Sequence, residues 1–137
     1  MTINYKINAP ITVDQFTELL HKTTLGERRP LEDPECLKGM VENSNLMVTA
    51  WDNEKLVGIA RSLTDFHFAC YLSDLAVHEK YQKTGIGKKL QIITQEQLGT
   101  KCSLILISAP AANSYYEHIG FTNNQRCWEL SREQKIS

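Results

Sequence analysis

No stretch of this chain approaches the roughly 18 apolar residues that a membrane-spanning helix needs, and the N-terminus, MTINYKINAP, lacks the apolar core of a signal peptide. A soluble, cytoplasmic protein with no membrane partner is expected. Charge of neither sign is in excess: 15 Lys and Arg face 16 Asp and Glu, for a formal net charge of -1. That balance excludes the strongly basic surface of a nucleic-acid-binding domain, so any anion site must be local. Cysteine is sparse and scattered; Cys36, Cys70, Cys102 and Cys127 form no CxxC pair, which points to free thiols in an intracellular protein rather than a disulfide framework. His21, His67, His78 and His118 stand apart, with no HExxH or Cys/His spacing, and no metal is expected. Internal repeats, low-complexity tracts and linkers are also missing.

What is present suffices for one core. The chain has 137 residues, 42% of them hydrophobic, the size and balance of a single globular domain over 1–137. Alternating apolar and polar residues predict a strand over 2–8, closed by Pro10. A helix from about Thr12 places Val13, Phe16, Leu19 and Leu20 on one face, with Gly26 beyond its end, and Asp33 followed by Pro34 predicts the start of a second helix through Cys36, Leu37, Met40 and Val41. Residues 46–51 and 55–63 are apolar-rich runs joined by Asp52, Asn53 and Glu54, which predicts an antiparallel hairpin. A strand over 70–77, a helix over about 85–98 ended by Gly99, and a doubly covered strand over 103–108 make a right-handed parallel crossover. A short helix over about 113–119, then Gly120, and a last strand over about 125–130 complete an α/β layer fold.

The chemistry is concentrated at VHEKYQKTGIGKKL, where an apolar strand stops and a basic amphipathic helix begins. A glycine-containing strand-to-helix turn aims several backbone N–H groups at one small space, and such groups bind phosphate. Gly85 and Gly87 permit positive φ and close approach, the helix dipole adds partial positive charge, and Lys83, Lys88 and Lys89 add full charges. Neither common nucleotide loop fits. A P-loop would need glycine at Gln82 and a hydroxyl at Lys89, and a dinucleotide fingerprint would need a third glycine at Leu90.

Three stretches instead carry a resemblance to the GNAT superfamily of acyl-CoA-dependent N-acetyltransferases. DLAVHEKYQKTGIGKKL, residues 74–90, looks like that family's strand and pyrophosphate loop, with Gln82, Gly85 and Gly87 at its (Gln/Arg)xxGx(Gly/Ala) positions. SLILISAP resembles the parallel strand. NSYYEHIGF, residues 113–121, is similar to the family's helix and Tyr-x-x-x-Gly-Phe segment, which puts Tyr116 where many members keep an acidic tyrosine. The order of elements agrees over nearly the whole chain, although the specific motifs occupy its second half.

The resemblance implies a GNAT-like α/β fold: a mostly antiparallel sheet of about six or seven strands, one parallel pair splayed to admit CoA, and about four flanking helices. It implies acetyl-CoA as co-substrate, with the pantetheine arm on the backbone of Leu75, Ala76 and Val77 and a backbone N–H near Val77 polarising the thioester carbonyl. The pyrophosphate would lie on Gln82, Lys83, Thr84, Gly85, Ile86, Gly87 and Lys88, and Asn113 would make a further polar contact to CoA. An amine then attacks the thioester and Tyr116 protonates the leaving thiolate. The partners implied are acetyl-CoA and a primary amine, with no metal and no nucleic acid, and a homodimer is compatible with the fold.

Each of these residues also suits a plainer role. Gly85 and Gly87 fit a tight turn, Tyr115 packing, Asn113 a helix cap, Trp51 and Trp128 the core, and Cys70 and Cys102 small buried hydrophobes. The general base is left open among Asp74, Asp65, Glu117, Tyr71 and a water chain. Gly26 to Glu35, GERRPLEDPE, has mixed charge and would rim the acceptor site, which leaves a small amine, an aminoglycoside, an amino-acid derivative or a peptide N-terminus as acceptors. A non-catalytic acyl-CoA sensor or assembly domain of the same fold is the alternative.

Overall fold

The computed structural model describes residues 2–137. Strand β1 (Ile3–Ile7) leads to helix α1 (Val13–His21), which starts at a reciprocal capping box: Thr12 Oγ1 accepts from Gln15 N–H at 3.0 Å, and Gln15 Oε1 accepts from Thr12 N–H at 2.9 Å. The helix ends at His21, earlier than Gly26 suggested. Gly26 lies instead in a 3-10 turn, Thr24–Arg28, so close beneath α1 that a Cβ there would sit 2.3 Å from the carbonyl oxygen of Leu20. Helix α2 (Pro34–Asn43) opens as predicted, with Asp33 accepting from Cys36 N–H and proline in the first turn.

Strands β2 (Leu46–Asp52) and β3 (Lys55–Thr64) form the hairpin across Asn53 and Glu54, with Asn53 at φ 53°. Strand β4 (Ala69–Val77) turns through Glu79–Tyr81 into helix α3 (Ile86–Glu96), and β5 (Ser103–Leu106) returns parallel to β4. The result is one five-stranded sheet in the order β1-β2-β3-β4-β5, antiparallel except for its last pair.

The sheet separates two apolar layers. On one face Phe16, Leu19 and Leu20 of α1 and Leu37 and Val41 of α2 pack with Met47, Trp51, Ile59 and Ala76. On the other, Ile86, Leu90 and Ile93 of α3 pack with Val48, Ala50, Val57, Ala60 and Leu72. Contact between α3 and the sheet is close at Gly58, where a Cβ would meet Leu90 Cδ1 at 3.1 Å, Ile86 Cγ2 at 3.2 Å and Ala50 Cβ at 3.3 Å. That contact seats the N-terminus of α3.

The chain divides by packing into two compact units, one ending at Ile107 and the other Ser108–Ser137. The second holds helix α4 (Asn113–His118) and a short 3-10 turn before it. Three expectations are corrected here. Residues 125–130 form no strand, so the sheet has five strands among the described residues rather than six or seven, and Trp128 is 91% exposed rather than in the core. QRCWEL carries two charges and three apolar side chains, too little buried area to offset the ordering of its backbone. Strand β5 is also not covered on both faces: Leu104 and Leu106 pack toward α3, whereas Ile105 and Ile107 are about half exposed and belong to neither layer.

Gly58→Val should overpack the contact between α3 and the sheet. A loss of about 1–3 kcal/mol, read as a lower urea midpoint at unchanged slope, is the expected result.

Candidate functional site

The parallel pair opens where the sheet is irregular. Strand β5 pairs with β4 only from Ala69↔Ser103 to Leu72↔Leu106. On its other side β4 pairs with β3 from Cys70 to Val77, but the register slips between Arg61↔Asp74 and Ser62↔Leu72, which leaves Ser73 as the extra residue of a β-bulge. A bulge bends and twists its strand, and pairing to β5 stops at this residue.

Beyond the bulge, the backbone directions follow from one hydrogen bond. His78 N–H donates to Val57 O at 2.8 Å. Groups alternate along a strand, so those of Ala76 also face β3, and those of Leu75 and Val77 face the side that β5 has left. Of the three backbone partners expected, Leu75 therefore presents N–H and C=O to the opening and Val77 its N–H, while Ala76 is engaged with β3. Gln82 Nε2 closes the end of this row by donating to Val77 O at 3.1 Å.

The loop that follows is exposed from Gln82 to Gly85. Gly85 is the N-cap of α3 in the left-handed region, φ 86°, with no side-chain cap and no atom within 4 Å of where a Cβ would stand. Lys83 also has positive φ, 64°. The first helical bond runs from Lys89 N–H to Gly85 O. Ile86, Gly87 and Lys88 thus have N–H groups with no intrahelical acceptor, beside the side chains of Lys83 and Lys88. Tyr81 anchors the loop: its hydroxyl donates to Asp52 at 2.6 Å, and its carbonyl accepts from Thr84 Oγ1 at 2.6 Å.

Two of the groups weighed as a general base are occupied otherwise. Asp74 is fully buried, and its two oxygens each accept from a guanidinium, Arg29 Nε and Arg61 Nε. Asp65 caps the β3–β4 turn by accepting from the N–H groups of Phe68, Ala69 and His67, and these bonds lower its pKa to about 2. Glu117 is exposed on α4, and Tyr71 is 40% exposed on β4 beside Ile105.

Tyr116 lies on α4, edge-on to Tyr115 and Phe121 at 5.2 and 5.5 Å between centroids. Burial, and then Tyr115, raise its pKa above the ordinary tyrosine value. Asn113 begins α4 without capping it; its side chain accepts from Ser108 Oγ. Cys70 is a buried free thiol whose pKa burial raises, the opposite of an activated nucleophile. A cavity of about 320 Å³ lies under α1, lined by Glu18, Lys22, Lys55 and His78 among others, and no residue of the Gln82–Lys88 loop borders it.

Sequence reasoning missed the arginines. Arg61 stands inside the apolar run LVGIARSL, and a charge in a buried strand was the available signal. Arg29 is, in sequence, one of several charges in the segment Gly26 to Glu35.

Residues 24–129 match the family described as acetyltransferase (GNAT) domain. The chain belongs to the GNAT family. Curated relatives include the uncharacterized N-acetyltransferase ycf52 of Gracilaria tenuistipitata var. liui, 32% identical over 100 residues that cover 69% of this chain and 53% of that protein. The ycf52 protein of Pyropia yezoensis is 30% identical, with 69% and 56% covered. The chain spans about half the length of the curated relatives it matches. Among solved structures, a GNAT-family protein of Streptococcus pneumoniae superposes with a TM-score of 0.75 at 19% identity, covering 96% of this chain and 100% of the other. The aminoglycoside N-acetyltransferase AAC(6')-Iy, in complex with CoA, gives 0.72 at 12% identity, covering 97% and 96%. These likenesses establish the GNAT fold, with its one parallel pair and four helices. No helix among the described residues is long and apolar enough to cross a membrane.

Two outcomes follow for this GNAT domain. Gly85→Val forces a β-branched residue to φ 86° at a point free of packing. Retained folding by circular dichroism is expected, and any affinity of this loop for CoA, read by calorimetry, should fall at least ~10-fold. Asp65 has a folded pKa of about 2, against roughly 3.9 unfolded. Its contribution is therefore complete above about pH 4 and lost as pH falls toward 2. The stability gap between wild type and Asp65→Asn in urea unfolding should narrow over that window.

Proposed function

We propose that residues 1–137 form a single acyltransferase domain that moves the acetyl group of acetyl-CoA to a primary amine. The observation that carries this reading is a continuous one: the outward-facing backbone of Leu75 and Val77 leads, through a turn whose Gln82 side chain bonds Val77 O, into the Gly85-capped N-terminus of α3. A pantetheine arm needs an unpaired strand edge, a pyrophosphate needs unpaired helical N–H groups, and here the two adjoin. Gln82, Lys83, Thr84, Gly85, Ile86, Gly87 and Lys88 supply the phosphate site.

In the proposed reaction the amine nitrogen attacks the thioester carbon, and the oxyanion is met by a strand N–H at Leu75 or Val77. The C–S bond then breaks, the sulfur takes the proton of the Tyr116 hydroxyl, and the new amide nitrogen loses its proton. A raised pKa keeps Tyr116 protonated at neutral pH, as an acid must be. Thiolate is already a fair leaving group, so the tyrosine contributes at the low end of the ~10²–10⁴-fold typical of general acids. Asp74 and Asp65 are both engaged as ligands of N–H groups, which leaves Glu117, Tyr71 or a water chain to receive the amine proton. The mixed-charge segment Gly26 to Glu35 would border the acceptor.

Calorimetry with acetyl-CoA and CoA, followed by thiol release against a panel of amines, tests the reading. Binding and amine-dependent release are expected in wild type. Tyr116→Phe should bind CoA as before while kcat falls at least ~10-fold. Binding without release from any amine would turn the reading to a non-catalytic acyl-CoA sensor, and absence of binding would remove the CoA site.

A further inference from the structure

The bulge that opens β4 is held from two sides. Arg61, on β3 and 6% exposed, donates from Nε to Asp74 and from Nη2 to Ser73 Oγ at 3.0 Å, while its Nη1 reaches Ser44 Oγ at 2.8 Å and Met40 O at 3.3 Å at the end of α2. Arg29, extended just past the Thr24–Arg28 turn, donates from Nε to the other oxygen of Asp74 and from Nη2 to Ser73 O at 2.8 Å. Its Nη1 returns to Arg28 O at 2.9 Å. Every side-chain oxygen of the bulge pair Ser73–Asp74, and the carbonyl of Ser73, therefore accepts from one of two guanidinium forks.

The two arginines are not equivalent. Arg61 is part of the sheet and serves the core. Arg29 belongs to the segment 26–35, which crosses from α1 to α2, and its guanidinium ties that segment to the strand that carries Leu75 and Val77. A planar guanidinium with two donors in fixed directions sets the orientation of the bulge peptide as well as its position. One residue further along β4 begins the row of outward-facing groups.

We propose that Arg29 is a positioning residue of the transfer reaction: by gripping the Ser73–Asp74 bulge it aims the N–H groups of Leu75 and Val77 and holds the acceptor rim to the cofactor strand. The proposal rests on the acyl-CoA reading given above. Affinity for CoA resides mainly in the loop at Gly85, which Arg29 does not touch, whereas the alignment of thioester and amine depends on the bulge. Loss of Arg29 should consequently act on kcat more than on KM, since displacement of aligned groups by about 1 Å can slow a reaction by up to ~10²-fold.

The test compares Arg29→Ala, Arg29→Lys and wild type in three measurements. In Arg29→Ala, kcat should fall ~10–100-fold while KM for acetyl-CoA changes less than ~3-fold. Arg29→Lys, which keeps the charge but loses the fork, should recover only part of the loss, and ~50 mM guanidinium should restore activity to the alanine variant but not to wild type. Amide exchange of the CoA-free proteins should show faster exchange confined to the bulge and to the β3-facing amides of residues 74 and 76 in Arg29→Ala. Unchanged kcat in Arg29→Ala, full recovery by lysine, or accelerated exchange across the whole sheet would each overturn the positioning role, the last by making Arg29 a plain stability residue. The exchange result is independent of ligand. A wild type that binds no CoA would overturn the acyl-CoA reading, while unchanged exchange at the bulge and at residues 74 and 76 would overturn the grip of Arg29 itself.

Discussion

A buried carboxylate organises this domain. Asp74 is fully excluded from water in the middle of a sheet, a position that a carboxylate occupies only when its charge is matched and its lone pairs are filled. Arg29 and Arg61 do both, and their remaining donors take up Ser73 and the last turn of α2. With neither guanidinium in place the carboxylate would be an uncompensated charge in the interior, which a fold of ordinary stability does not tolerate. The pairing thus fixes three segments distant in sequence, near residues 29, 61 and 74, to one point.

That point is where the sheet stops being regular. Antiparallel pairing to β3 continues through the bulge to Val77, and parallel pairing to β5 ends at Leu72. An ordinary edge would leave an open row of donors and acceptors exposed to any passing strand. Here the row is short, it is bent by the bulge, and it runs into the N-terminus of α3, which Gly58 brings close against the sheet. Backbone geometry supplies two kinds of unsatisfied group, a strand edge and a helix end.

The helices and strands of the first 107 residues were legible because each is locally consistent. Thr12 with Gln15, and Asp33 with Pro34, are start signals whose hydrogen bonds form within four residues, and apolar spacing on α1 and α3 agrees with the faces they bury. The loop at Gln82 to Lys88 was legible for the same reason, since glycine at a strand-to-helix turn acts through its own φ. The misreadings were non-local. Residues 125–130 look like a strand by composition, yet a strand exists only against a partner edge. Ile105 and Ile107 look buried by hydrophobicity, yet burial depends on which layers extend over β5.

By itself the sequence determined the order of the elements, the glycine turn with its basic helix, and membership of the GNAT family, all of which depend on residues near one another in the chain. Only the tertiary structure decided that Asp74 is buried between two guanidinium groups, that Leu75 and Val77 rather than Ala76 face the opening, and that Arg29 and Arg61 meet at the bulge. Those facts rest on register and on charge pairs separated by 45 and 13 residues. A one-residue slip in pairing reverses the direction of every backbone group beyond it, and no local pattern records where that slip occurs.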